Sequence, residues 1–558
     1  MRFRCVRLLT CALTLAVHTA VAANAAAEKA ADALSSPLHL SLEEAITLGL
    51  KNNLNVEVER HAPLIAFHER EIARGAYDPV LGLDLGYQSN ETPIASSLQT
   101  ASMLIERTVA GQIGLSGLIP LWGATYSLGY SGNSLESTSN IQALSPEYRS
   151  GLLARLTAPL LRNFIWNEPW TQVKATRLAH RQALEQLREA LMNTVRDTEN
   201  AYWNLVAAQE RLRVANKSLE ATKALLEQTQ VQYEVGVVSK VEVTEARAGV
   251  AERELNQIQA DNALRAAQDR LVDLVYGRAL QPLTELEVIP SERADDYTVF
   301  EIDREQAAEK AFKNRPELAA AHKEIERQKV LLQFAQNQRL PQLDVEVNYG
   351  LQGLAGQENP GRSDFNASDR ALVNSINSSI VPLGATPIPA PQPRAPLDVD
   401  RRYSATDDLF FDGAGAQQWG VKGIFSVPLG NRRARHAVSQ QELALRRSRT
   451  QLKRLEQGVV LEIREATRRI SSALQGIEAA ERRRQAVEEQ FEAERIRLEA
   501  GESTPFDVLQ RERDLVDAES QKIEALRSYR DSVTALHRAQ GTTLFSHNIL
   551  FEEAQELR

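Results

Sequence analysis

His61 and His68 lie seven residues apart, two turns of a helix, and His68-Glu69 opens like the first half of a zinc-protease pair. The second histidine that such a site needs does not follow, and the other histidines are scattered, so all nine read as surface or seam residues. Gly111, Gly114 and Gly117 recur every third residue, but along a strand rather than at a strand-to-helix turn. They do not cradle phosphate and read as small residues packed in a sheet wall. Arg432-Arg433, Arg446-Arg447, Arg468-Arg469 and Arg482-Arg483-Arg484 alternate with glutamate along a helix, the pattern of a solvated, ion-paired face rather than a nucleic-acid surface. Three methionines, one of them Met1, supply no thioether relay for copper. No serine pairs with a histidine along the strands. The chain reads as a non-enzyme without cofactor or metal, whose work lies in its architecture.

That architecture is written twice, 262 positions apart and without a gap. Glu43-Glu44-Ala45, Lys51-Asn52 and Pro79 with Leu83, Leu85 and Tyr87 recur as Glu305-Gln306-Ala307, Lys313-Asn314 and Pro341 with Val345, Val347 and Tyr349. Further on, Tyr233-Glu234-Val235-Gly236 is echoed by Leu498-Glu499-Ala500-Gly501. A repeated unit of this length builds one object from two quasi-equivalent halves. Ahead of the first copy, Arg2, Arg4 and Arg7 precede an apolar run from Leu8 to Val17 and a small-residue site at Ala20-Val21-Ala22, a secretory signal. Its removal takes three arginines and moves the net charge from −9 to −12. Both cysteines, Cys5 and Cys11, go with it, so the exported chain has no disulfide. A lipoprotein leader at Cys11 is the alternative, although Thr10 stands where a smaller residue is wanted. No other segment approaches the ~20 apolar residues of a membrane helix.

Each copy opens on a helix, from Ser41 as N-cap to about Ala76 and from Asp303 to about Gln338. The period then falls to two: Leu81, Leu83, Leu85 and Tyr87 oppose Gly82, Asp84, Gly86 and Gln88, and Leu343 to Tyr349 alternate in the same way. An aliphatic face ending in Tyr, set against acids and amides on an exported chain, suits a transmembrane barrel with lipid outside and water inside. Further strands are expected at 109–119, 124–131, 150–158 and 419–427, with a Pro/Gly-rich surface loop at 351–415. Pro79, Pro159, Pro341 and Pro428 bracket the strands at the helix junctions, where a residue without a donor fits.

Long helices follow. Leu184, Leu191, Thr198, Leu205, Leu212, Leu219, Leu226 and Tyr233 are spaced by seven, with a second row at Leu187, Thr194, Ala201, Ala208, Ala215, Thr222 and Thr229. Ile463, Ala466, Ile470, Ala473 and Ile477 mark the second copy. Strict heptads demand a left-handed coiled coil. Tight tips at Gly236 and Gly501 turn each helix into a return helix, ending at Gly277 and Gly541, which are expected as left-handed caps. The chain therefore divides into a signal peptide (1–22), a first repeat (23–278, strands about 79–158, tip at 236), a linker or equatorial segment (279–303), a second repeat (304–541, strands about 341–428, tip at 501) and an equatorial tail (542–558).

On the opening Leu40-Ser41-Leu42-Glu43-Glu44-Ala45 with Lys51-Asn52-Asn53, the duplicated order of elements, and a glycine with an acid six residues later at each tip, the chain resembles the TolC family of outer-membrane efflux and secretion ducts. The resemblance implies an α+β membrane protein of Gram-negative bacteria. In it, three copies share one transmembrane β-barrel, and long coiled-coil helices form a periplasmic α-barrel. It implies passive export, as the channel-tunnel of a tripartite efflux pump or type I secretion system, and the partners are a homotrimer, a periplasmic adaptor, an inner-membrane transporter and outer-membrane lipid, with no nucleic acid. It implies four strands per chain, twelve in a trimer, with the hairpin at 109–131 outside the wall; the alternative is six per chain and 18 in a trimer, which would fit poorly on twelve helices. Asp507 is implied to face the periplasmic aperture, and Glu242 to belong to the links that hold it closed; Gln510 stands where a second acid is sometimes found. Both acids also fit as ordinary first-turn residues favoured by the helix dipole. The alternatives are a periplasmic coiled-coil adaptor, which would carry a single hairpin, and an outer-membrane hydrolase, which would need a nucleophile and base on the strands.

Overall fold

In the computed structural model residues 38–549 are described, except 96–98, 100–101, 121, 278–286, 294, 301–302, 365, 393–394, 396, 398–402 and 412–414. The expected leader with Cys5 and Cys11, the tail from 550 and parts of the segments 279–303 and 351–415 lie outside the described residues. The elements run β1 (Leu38–Leu40), α1 (Leu42–Asn52), α2 (Leu54–Arg74), β2 (Val80–Pro93), β3 (Met103–Leu118), β4 (Thr125–Ser137), β5 (Leu144–Pro159), α3 (Glu168–Glu234) and α4 (Lys240–Tyr276). Then come β6 (Val288–Pro290), α5 (Arg304–Asn314), α6 (Pro316–Asn337), β7 (Gln342–Glu358), α7 (Ala367–Ile380), α8 (Ala405–Phe411), β8 (Ala416–Ser426), α9 (Arg432–Glu499), α10 (Pro505–Gln540) and the single turn α11 (Thr543–Ser546).

The opening helix of each repeat is two helices, not the one expected. Asn53 takes an extended backbone, and its side-chain oxygen accepts from the Asn55 amide at 2.9 Å, so α2 starts afresh. In the second copy Arg315 is extended because the ring of Pro316 excludes the helical conformation before it. Upstream, Ser41 and Glu44 form a reciprocal capping box on α1, and Asp303 caps α5.

The described residues group into two units, one drawn from the chain up to Phe67, Leu178–Glu326 and the chain from Arg446, the other from His68–Arg177 and Arg327–Leu445. The first unit is helical apart from β1 and β6, and its two larger cores fall one to each repeat, with smaller clusters around Met192 and Val214. Ala45 sits with Tyr202, Leu205, Leu271 and Val275, and its counterpart Ala307 with Ile463, Ile470, Leu526 and Tyr529. A buried tyrosine pins the segment before the opening helix in each: Tyr202 Oη donates to Leu40 O at 3.0 Å, and Tyr529 Oη donates to Thr298 O at 2.7 Å. In α3 both heptad rows are buried in the first half, at Leu184, Thr198 and Leu205 and at Thr194, Ala201 and Ala208. Toward the tip only the small row stays buried, at Thr222 and Thr229, whereas Leu212, Leu219 and Leu226 are half-buried and Tyr233 is exposed. Gly541 has the expected left-handed backbone, φ +72°. Gly277 does not (φ −12°); it is small because a Cβ there would meet Asp273 O at 3.2 Å and Asn52 O at 3.6 Å.

The second unit is a six-stranded antiparallel sheet in the order β2-β3-β4-β5-β7-β8. This corrects the expectation of four strands per chain. β3 and β4 are not a side hairpin: they pair at thirteen positions with each other and continue the register from β2 to β5. The second-copy loop is also shorter than expected, because β7 runs on to Glu358 and the connection contains α7 and α8. The register puts Leu83, Ile113, Tyr130, Leu152 and Leu351 in one row on one face. Asp84, Gln112, Ser131, Gly151 and Gln352 form the matching row on the other. The apolar face is bare over much of its height, with Leu85 at 78 % and Trp419 at 76 % exposed. Pro79 precedes β2, Pro159 ends β5, Pro341 precedes β7, and Pro428 lies two residues beyond β8.

Candidate functional site

Two matching turns end the long helices of the first unit. Gly236 and Gly501 both have φ +79°. The Gly236 amide donates to Tyr233 O and the Val237 amide to Gln232 O; Gly501 donates to Leu498 O and Glu502 to Arg497 O in the same pattern. This is the Schellman arrangement, which satisfies the last carbonyls of a helix through one left-handed residue. Three residues after each glycine, Ser239 and Thr504 cap the return helices α4 and α10.

The two candidate acids are part of these caps. Ser239 N and Oγ donate to Glu242 Oε1 at 3.1 and 3.0 Å, and the Glu242 amide donates back to Ser239 Oγ. Thr504 Oγ1 donates to Asp507 Oδ2 at 2.7 Å, and the Asp507 amide donates to Thr504 Oγ1. Each carboxylate thus sits in the first turn of its helix, where the dipole favours negative charge. Asp507 is exposed and Glu242 half-buried. Around them Val235, Val237, Val241 and Phe506 are exposed, an apolar rim on an otherwise charged pair of hairpins.

The chain matches the family described as outer membrane efflux protein over residues 45–275 and 390–542, more than half its length and inclusive of both tips. It belongs to that family. It is 24 % identical over 287 residues to the cobalt-zinc-cadmium resistance protein CzcC of Cupriavidus metallidurans, an alignment covering 48 % of this chain and 66 % of that protein. Among solved structures, the CmeC outer membrane channel of Campylobacter jejuni superposes with a TM-score of 0.61 at 16 % identity, covering 90 % of this chain and 86 % of that one. The open state of the MtrE outer membrane channel of Neisseria gonorrhoeae gives 0.58 at 14 % identity, covering 90 % and 89 %. The fold is therefore that of these outer-membrane channels.

Above the tips of this efflux-family chain lies a cluster that sequence reasoning missed. Arg253 of α4 is buried and donates through Nε and Nη2 to Glu512 Oε2 of α10, at 3.2 and 3.1 Å. Ser218 and Thr222 of α3 donate to the same carboxylate, at 2.5 and 3.1 Å. One turn away the backbones close in: a Cβ on Gly249 would lie 2.9 Å from a methyl of Leu509. The signal was present as Arg and Glu in the return helices, but among so many Arg and Glu residues it could not be told from surface pairs such as Arg484 with Glu481 and Glu488. His61 and His68 are exposed on α2, and among the described residues no group of three His, Cys, Asp or Glu side chains is placed to hold a metal.

Proposed function

We propose that three copies of this chain form an export duct. Their sheets close one barrel through the outer membrane, and their helical hairpins make a periplasmic tunnel, opened when an inner-membrane transporter docks through an adaptor at the tips. The observation that carries this is the sheet: six antiparallel strands with an apolar face, a polar face and two unpaired edges. Unpaired edges cannot persist in lipid. β2 runs antiparallel to β8, so the β2 edge of one copy can pair with the β8 edge of the next, and three copies would close with 18 strands. Barrels of that size leave an aqueous channel. At the tips Asp507 would contribute one carboxylate per copy to the aperture, Glu242 would belong to the closing links, and the exposed valines and Phe506 would receive the adaptor.

The test is cysteine pairing between β2 and β8 positions on purified protein in detergent. Copies cross-linked into a closed trimer that migrates faster when unheated are expected. A water-soluble monomer would remove the barrel, and with it the duct.

A further inference from the structure

The long connection between β7 and β8 does not simply leave the sheet. Residues 403–411, including α8, lie back on it, over β5 and β7, and they lie on the apolar face. Tyr130 Oη donates to Asp407 Oδ1 at 2.9 Å, Tyr403 packs edge-on against Tyr148 at 5.7 Å, and Ala405 and Thr406 are buried. Tyr130 and Tyr148 belong to the same face as Leu83 and Leu351, not to the face of Asp84 and Gln112.

The wall is shaped for this contact. Gly111, Gly132, Ser150 and Gly353 are register neighbours across four strands, a row of small residues at one level of an otherwise large-residue face. A Cβ at Gly132 would collide with the Tyr403 hydroxyl, and one at Gly353 with the Thr406 carbonyl. From this row to the helix-proximal end at Pro159, β5 runs nine residues, about 31 Å of strand, which at the roughly 35–45° tilt of membrane barrels spans about 22–25 Å of height, comparable with their ~25 Å apolar band. The row therefore falls where acyl chains give way to headgroups.

We propose that residues 403–411 form an outer strap. It is a lipid-interface segment on the outward face of the barrel wall, at the headgroup level of the rim remote from the helix junctions, and not a plug that enters the lumen. It rests on the barrel reading above. Its contact is with the phosphorylated headgroups of the outer leaflet, those of lipopolysaccharide in the cell and of phospholipid in a nanodisc, and its seat is the small-residue row.

The test uses protein in nanodiscs with Cys5 and Cys11 replaced by Ser and one fluorophore placed by Asp408→Cys, Val421→Cys or Asn348→Cys. A nitroxide on the lipid headgroup is expected to quench the label at 408. A nitroxide deep in the acyl chains is expected to quench the label at 421, on the bare apolar face, and neither should quench the label at 348, on the polar face. If 421 is quenched while 408 behaves like 348, the segment is in the lumen and the strap is refuted with the barrel intact. If 421 is no more quenched than 348, the wall itself is misread and the strap falls with it. Gly353→Val should loosen the label at 408 without changing heat-modifiable migration; unchanged mobility there would contradict the proposed seat.

Discussion

A guanidinium and a carboxylate withdrawn from water lose several kcal/mol each, which only good geometry and further hydrogen bonds restore. Arg253 and Glu512 meet both conditions, since Ser218 and Thr222 complete the carboxylate. Removing one partner strands the other. Arg253→Met or Glu512→Leu alone should each cost about 3–5 kcal/mol, and the double variant should recover most of that loss. A double-mutant cycle on hydrogen-exchange protection of α4 and α10 would measure it, and simple additivity would mean the cluster is not a unit. The tip glycines make a second residue-scale case. An L-residue in their left-handed conformation costs roughly 1–2 kcal/mol, so Gly236→Ala and Gly501→Ala should destabilise the tips by that much. Gly458→Ala in α9, where a Cβ meets open space and φ is negative, should stabilise by up to about 1 kcal/mol. Equal effects at the three positions, read by thermal unfolding, would contradict the turn geometry.

At the scale of elements, α10 carries charge that its packing makes expensive. Asp531 lies 3.4 Å from Arg527, and its other oxygen is buried without a hydrogen bond. Arg468 and Arg469 line the same cavity. Burial pushes its pKa up to about 6, with Arg527 opposing and Glu524 adding. The folded chain thus binds this proton more tightly than the unfolded one. The resulting stability is complete below the ordinary aspartate pKa of 3.8 and is lost as pH rises through about 6. Asp531→Asn should raise the melting temperature at neutral pH and flatten its dependence across that window; an unaltered profile would assign the slope elsewhere. Glu481 has the opposite sign: hydrogen bonds from Arg484, with Lys522 beside it, hold it at about 2, so its contribution fades only on strong acidification. The same scale explains what could be read in advance. Periodicity reported the strands, the heptads and the tips, because each follows from spacing within one segment. The Arg253–Glu512 cluster depends on a partner far along the chain and the break at Asn53 on one side-chain cap, while the place of β3 and β4 in the wall depends on how their edges meet β2 and β5. Spacing does not encode these.

For the molecule as a whole, duplication creates a mechanical constraint. The return helices of the two repeats, α4 and α10, are packed against each other at Gly249 and Leu509 and pinned beside that contact by Arg253 and Glu512. If the tip opens as proposed, each copy can widen its own part only by one hairpin sliding or swinging against the other, because helices in close contact do not stretch. Gly249→Cys with Leu509→Cys replaces the bulky side chain at that contact by a sulfur on each helix, at a site where a Cβ on residue 249 would lie 3.6 Å from Leu509 Cγ. Oxidised, this staple should hold the hairpins together and abolish export from cells, and reduction should restore it, while trimer yield and heat-modifiable migration stay the same in both states. Either single variant should export normally under both conditions. Undiminished export from the fully oxidised double variant would mean that the tip opens without relative motion of its two repeats, and the coupling of duplication to gating would be wrong.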